Sequence, residues 1–182
     1  MKVHFTTLGC PKNQVDTELM LGMLARSGHE ITDAAETADC LVVNTCAFID
    51  RAREESVQTI LELARVKEAG RAQALIVTGG LTQRYGGELL TEIPEVSAIL
   101  GTSELHRIVE LVSQAGSRQD WVSSAPPGYL YDATTPRLLT RGLPYAYVKI
   151  AEARTGTCST VSCSTICLIR NASRPKRRAP ST

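Results

Sequence analysis

Val3-His4-Phe5-Thr6-Thr7-Leu8-Gly9-Cys10-Pro11-Lys12-Asn13 decides the fold. A short apolar run with strand character ends in Gly-Cys-Pro and opens into a helical pattern. The same grammar returns at Leu41-Val42-Val43-Asn44-Thr45-Cys46 and at Ala74-Leu75-Ile76-Val77-Thr78-Gly79-Gly80. Strand runs alternating with helical runs predict an α/β fold with a mostly parallel sheet. Ligands of such sheets sit at the carboxyl ends of the strands. Cys10, Cys46 and Gly80 are therefore expected to face one crevice. Two thiols there suggest a metal or cluster site, and the third corner offers no ligand.

The remaining elements follow from periodicity. Asn13 is expected to cap a helix running to about Ser27, with Val15, Leu19 and Met23 four apart and Gly28 as its stop. His29–Thr32 is a weak strand and 33–39 a polar connection. Asp50 is expected to cap a helix to Ala69 with Val57, Ile60, Leu61 and Ala64 on its inner face. Thr82–Leu90 reads as a short helix and Val96–Leu100 as the last strand. Ser103 is expected to cap a helix built on Leu105, Ile108, Val109 and Val112, closed by Gly116.

The alternation then stops. Residues 1–116 form the α/β domain. Residues 117–144, rich in Ser, Pro, Gly and Thr, read as a linker. Tyr145–Ala151 has strand character but no partner in the sequence after it. Residues 153–182 have few apolar side chains, too few to offset the entropy of ordering them, and read as a disordered tail. The tail carries six cations and no acid, against 14 cations and 19 acids elsewhere. A tail of that charge suggests at most weak contact with nucleic acid. No apolar run is long enough to span a membrane, and no signal-peptide core precedes the first strand. A cytoplasmic chain with reduced thiols is the expectation.

Several motifs together carry a resemblance. They are Leu8-Gly9-Cys10-Pro11-Lys12-Asn13 with Val15-Asp16-Thr17-Glu18, Asn44-Thr45-Cys46-Ala47-Phe48-Ile49-Asp50, Val77-Thr78-Gly79-Gly80-Leu81-Thr82-Gln83-Arg84-Tyr85, Pro136-Arg137-Leu138-Leu139 and Tyr147-Val148-Lys149-Ile150-Ala151-Glu152. Over residues 1–152 the chain resembles the N-terminal part of the radical S-adenosylmethionine methylthiotransferases. Pro-Lys-Asn after the first cysteine resembles the RimO-type branch more than the tRNA-modifying branch, which usually has Gln-Met-Asn. The resemblance implies a flavodoxin-like N-terminal domain holding a [4Fe–4S] cluster on three cysteines. It implies a second cluster in a following barrel that cleaves S-adenosylmethionine, and transfer of a methylthio group to an aspartate of a small-subunit ribosomal protein. The ribosome is then the expected partner.

Two departures alter that expectation. Cys10 and Cys46 match two cluster ligands, but the third position is Gly80, which has no thiolate. After Glu152, where the family runs into its Cys-x3-Cys-x2-Cys loop, this chain has Cys158, Cys163 and Cys167 spaced x4 and x3. Residues 145–152 then read as a remnant of the first barrel strand, and a reading-frame change after Glu152 would explain the break. A barrel needs on the order of 200 residues, so the chain alone is expected to be inactive, with its cluster absent or labile. A non-enzymatic α/β binding module with ribosome or RNA contact, or the tRNA-modifying methylthiotransferase branch, is the alternative.

The other candidates have plainer readings beside the functional ones. Cys10 and Cys46 could be inert small residues at strand ends. Cys40, at the opposite end of its strand, reads as structural. Cys158, Cys163 and Cys167 could bind metal, but their Ser/Thr surroundings favour coincidence. His4, His29 and His106 stand apart from other ligand types. Gly79-Gly80 is too short for a phosphate loop. No nucleophile–base pair is apparent, so no catalytic residue is expected.

Overall fold

The computed structural model describes residues 1–115, 131–132, 134–140, 145–148 and 167–170. Its elements are β1 (Lys2–Thr7), α1 (Pro11–Arg26), β2 (Glu30–Thr32), β3 (Cys40–Thr45), α2 (Asp50–Ala69), β4 (Ala74–Gly79), α3 (Gly80–Glu92), β5 (Ala98–Leu100) and α4 (Ile108–Ser113). β6 (Tyr145–Val148) and β7 (Cys167–Arg170) follow. Short 3-10 turns lie at Ala35–Thr37 and Leu105–Arg107.

β1 to β5 form one parallel sheet in the order β2-β1-β3-β4-β5. This is the flavodoxin-like order, in which chain direction across the sheet reverses between β1 and β3. The strands explain themselves by alternation: β3 and β4 are buried along their whole length, so both of their faces must be apolar. Val42, Ile76, Ala98 and Leu100 point to one face, where α1 (Val15, Leu19, Met20, Leu24) and α4 (Ile108, Leu111, Val112) cover them. Leu41, Val43, Leu75, Val77 and Ile99 point to the other, under α2 (Ile60, Leu63, Ala64) and α3 (Leu81, Leu89). α1 therefore leaves β1 for one face, while α2 and α3 leave β3 and β4 for the other.

The expected helix caps are not used. Cys10 is the N-cap residue of α1, with Pro11 opening the helix, and Asn13 lies inside the first turn. Pro is suited to that first position because its missing N–H has no partner there anyway. Ile49 precedes α2, so Asp50 is a first-turn acid facing the positive end of the helix dipole. Past Ser103 the chain makes a 3-10 turn before α4 begins at Ile108, later than its apolar spacing suggested. Tyr145–Val148, for which the sequence offered no partner, pairs antiparallel with Cys167–Arg170. Gly116, most of the 117–144 linker, 149–152 and the rest of the 153–182 tail lie outside the described residues. Among the described residues no helix is long and apolar enough to cross a membrane.

Candidate functional site: the carboxyl ends of β1, β3 and β4

Three chain segments meet where β1, β3 and β4 end. β1 pairs with β3 through Thr7 and Asn44, and β3 pairs with β4 through Thr45 and Gly79. The next residues are Leu8-Gly9-Cys10, Cys46-Ala47 and Gly80. They are neighbours because their strands are.

Gly9 fixes the first approach. Its φ is 89°, in the left-handed region, and a Cβ there would stand 2.5 Å from the Cys46 Cβ and 3.0 Å from its Sγ. Only glycine meets both demands. The Cys46 loop is thereby packed directly against the backbone beside Cys10. Position 80 is the reverse case. A Cβ at Gly80 would stand 3.5 Å from the Ala47 nitrogen and 4.0 Å from the Cys46 Cα, ordinary contact distances, and its φ is unexceptional. Nothing in the backbone requires glycine there.

Buried amides tie the strand ends together. Asn13 donates from its side-chain nitrogen to the carbonyls of Leu8 and Thr45, both at 2.8 Å, bridging the ends of β1 and β3. Asn44 donates in return to the Asn13 carbonyl at 2.9 Å and to Thr17 Oγ1 at 3.0 Å. Thr45 donates its hydroxyl to the Thr78 carbonyl at 2.6 Å, joining β3 to β4. Ser56 of α2 accepts the Cys46 N–H at 3.1 Å and lies 2.9 Å from the Cys46 carbonyl, within donating range. Asn13 is thus spent on strand ends rather than on its helix. Periodicity missed these roles because a buried amide reads as a cap or a turn signal in sequence.

A cavity of about 250 Å³ opens beside Cys10, lined by Thr7, Gly9, Pro11, Gln14 and Thr17 and closed across by Thr140 and Tyr147. Cys10 is exposed and Cys46 half-buried, and neither is in a disulfide. Phe48 and Ile49, on the loop after Cys46, are exposed large apolar residues.

The other candidates fall elsewhere. Cys40 starts β3 at the far end and is fully buried; burial, with Asp39 adding to it, pushes its thiol up to about 12. It is structural, as its position implied. Cys158 and Cys163 lie outside the described residues, and Cys167 opens β7, its backbone opposite Val148. Among the described residues no cluster of three or more His, Cys, Asp or Glu is disposed to hold a metal. For a cluster held on three thiolates the strand ends are therefore a partial fit: two cysteines follow adjacent strand ends, and the third position is a glycine with room for a side chain.

Comparison with known proteins gives the family. Residues 2–101 match the family described as Uncharacterized protein family UPF0004. The chain belongs to that family, whose match ends just beyond β5. Within it, the chain corresponds to the N-terminal part of a RimO-type methylthiotransferase. It is 49% identical over 158 residues to the ribosomal protein uS12 methylthiotransferase RimO of Heliobacterium modesticaldum, covering 87% of this chain and 34% of that protein. It is 47% identical to the protein of the same name from Solibacter usitatus, over 97% of the chain and 37% of the relative. For that of Trichlorobacter lovleyi the figures are 46%, 98% and 39%. The chain thus spans between a third and two fifths of the length of these relatives. The last two alignments run past Glu152, where the motif match was expected to end.

Proposed function

We propose that the strand-end crevice is the N-terminal cluster site of a RimO-type methylthiotransferase, reduced here to two protein thiolates, Cys10 and Cys46. The observation that carries this is that Cys10, Cys46 and position 80 directly follow the ends of three adjacent strands. Thiolates are the ligands iron–sulfur clusters select. With Gly80 at the third corner, one iron must take a ligand from outside the protein, such as water or a small thiol. Such a cluster is labile. The residues present do not make a complete site, and no reaction step is assigned to it. On this reading the chain by itself transfers no methylthio group. Its ancestral substrate is an aspartate of the small-subunit ribosomal protein named in its relatives, and its compartment is the cytoplasm. A weak contact of the basic tail with ribosomal RNA is compatible with the charge of residues 153–182.

The test uses the steric room at position 80. Gly80→Cys and the unmodified chain are reconstituted with iron and sulfide without oxygen, then challenged with chelator. The expected result is close to four irons per chain in Gly80→Cys, with a broad visible absorption shoulder. The unmodified chain should hold less iron and lose it faster. Equal iron and equal chelator resistance in the two proteins would remove position 80 from the site. Absence of iron from both would favour the binding-module reading, to which the exposed Phe48 and Ile49 beside the crevice also point.

A further inference from the structure

α1 buries a side that such helices usually give to solvent. Glu18 is buried to 2% exposure. The cover comes from the segment 134–140, more than a hundred residues further along, and three kinds of contact seat it. The Arg137 guanidinium donates through Nε at 2.9 Å and Nη2 at 2.5 Å to Glu18 Oε2. Thr140 reaches the other oxygen from its hydroxyl at 3.3 Å and its N–H at 3.4 Å, beside Gln14 at 3.0 Å. The Leu138 N–H donates to the Glu18 backbone carbonyl at 2.9 Å. One turn on, the Pro136–Arg137 peptide lies directly on Gly22: a Cβ there would stand 2.5 Å from the Pro136 carbonyl carbon and 2.6 Å from the Arg137 nitrogen. Glycine is a poor helix former, and this close approach accounts for one in the middle of α1.

We propose that Glu18, Arg137 and Gly22 form a clamp that builds the outer wall of the Cys10 cavity. They hold Thr140, and β6 with Tyr147, across from Thr7, Gln14 and Thr17. The clamp thereby limits the size of what can stand beside Cys10. All three are positioning residues, and the inference is independent of what the cysteines hold. The pair suits this task because two charge-assisted hydrogen bonds from one guanidinium to Glu18 Oε2, with Thr140 on the other oxygen, fix direction as well as distance. A pair this buried is also little screened by salt.

The test is a cross-link in the full chain, stripped of metal by chelator. A cysteine is introduced by Thr140→Cys, or in a second protein by Tyr147→Cys. A short bis-maleimide bridge from Cys10 to the new thiol is then quantified by mass spectrometry. The bridge should form in both proteins. It should fall by about fivefold or more when Gly22→Ala or Arg137→Met is added, as expected when a docked segment opens locally. Gly22→Ala is the cleaner variant, because it improves the helix while its Cβ displaces the segment. Circular dichroism checks that the sheet domain persists. In Gly22→Ala a bulky maleimide should also gain on iodoacetamide at Cys10, with no such gain at Cys46. A bridge absent from both cysteine proteins, a yield unmoved by Gly22→Ala and Arg137→Met, or an equal gain at Cys10 and Cys46 would overturn the clamp.

Discussion

β3 starts with one cysteine and is followed by another, and the two ends of that strand are built on different principles. At the amino end Cys40 is sealed, its thiol pushed up to about 12 by burial. Asp39 beside it takes the Lys2 backbone N–H at 2.7 Å and the Arg71 guanidinium, which ties β1 and the α2–β4 connection over the strand starts. At the carboxyl end Cys46 is half-buried and its neighbours Cys10 and Phe48 are exposed. The difference follows from topology. α1 departs to one face and α2 to the other exactly where strand order reverses, so no single helix covers that gap. The closed end stabilises; the open end leaves Cys10 exposed.

The largest expected effect is at Gly9. Gly9→Ala adds a Cβ at 2.5 Å from that of Cys46 in a backbone conformation that alanine resists. The combined cost should be about 3 kcal/mol, read as a drop in the denaturant midpoint. Gly80→Ala, on the neighbouring strand end, should stay within about 0.5 kcal/mol of the parent. A costly Gly80→Ala would mean that position 80 is tighter than its contacts indicate, and would weaken the case for a ligand there.

The same substitution at the two ends of β3 sharpens the comparison further. Cys40→Ser places a hydroxyl in a fully buried apolar site and should cost about 2 kcal/mol. Cys10→Ser, at an exposed position, should cost under about 0.5 kcal/mol. Alkylation at neutral pH should label Cys10 first and Cys40 only as the domain unfolds, because Cys40 keeps its proton as well as its cover. Prompt labelling of Cys40 in the folded chain would contradict the sealed amino end.

The closed end and the sheet were legible in the sequence, since full burial on both faces writes β3 and β4 as continuous apolar runs. That Cys10, Cys46 and position 80 follow the ends of neighbouring strands was legible too, because strand ends follow from strand order. The helix starts were not. Asn13, Asp50 and Ser103 carry the right side chains for caps, but tertiary demands took Asn13 for the Leu8 and Thr45 carbonyls. The clamp on α1 was also hidden. Glu18 reads as a solvent-facing acid until Arg137, 119 residues away, is brought to it. Long-range pairing of that kind leaves no periodic trace, and Pro136-Arg137 in a Ser- and Pro-rich stretch reads as linker.

Asp39 supplies the smallest effect and a test of how the closed end is held. The Lys2 backbone N–H, with the Arg71 guanidinium adding to it, holds the Asp39 carboxyl below the usual carboxylate range, against a partial desolvation that acts the other way. A carboxylate whose folded value lies below its unfolded one binds fewer protons when folded. Its stabilisation is complete above the unfolded value and drains away as pH falls through the folded one. Asp39→Asn keeps the shape and removes the charge, so it should cost about 1 kcal/mol or less at neutral pH. Thermal unfolding of parent and variant can be followed from pH 7 down to pH 3. The gap between their midpoints should be steady down to about pH 4 and narrow below it. Every other carboxylate titrates in both proteins and cancels in the difference. A gap that stays constant to pH 3 would mean that the Asp39 side chain holds the strand starts by shape alone, with no contribution from its charge.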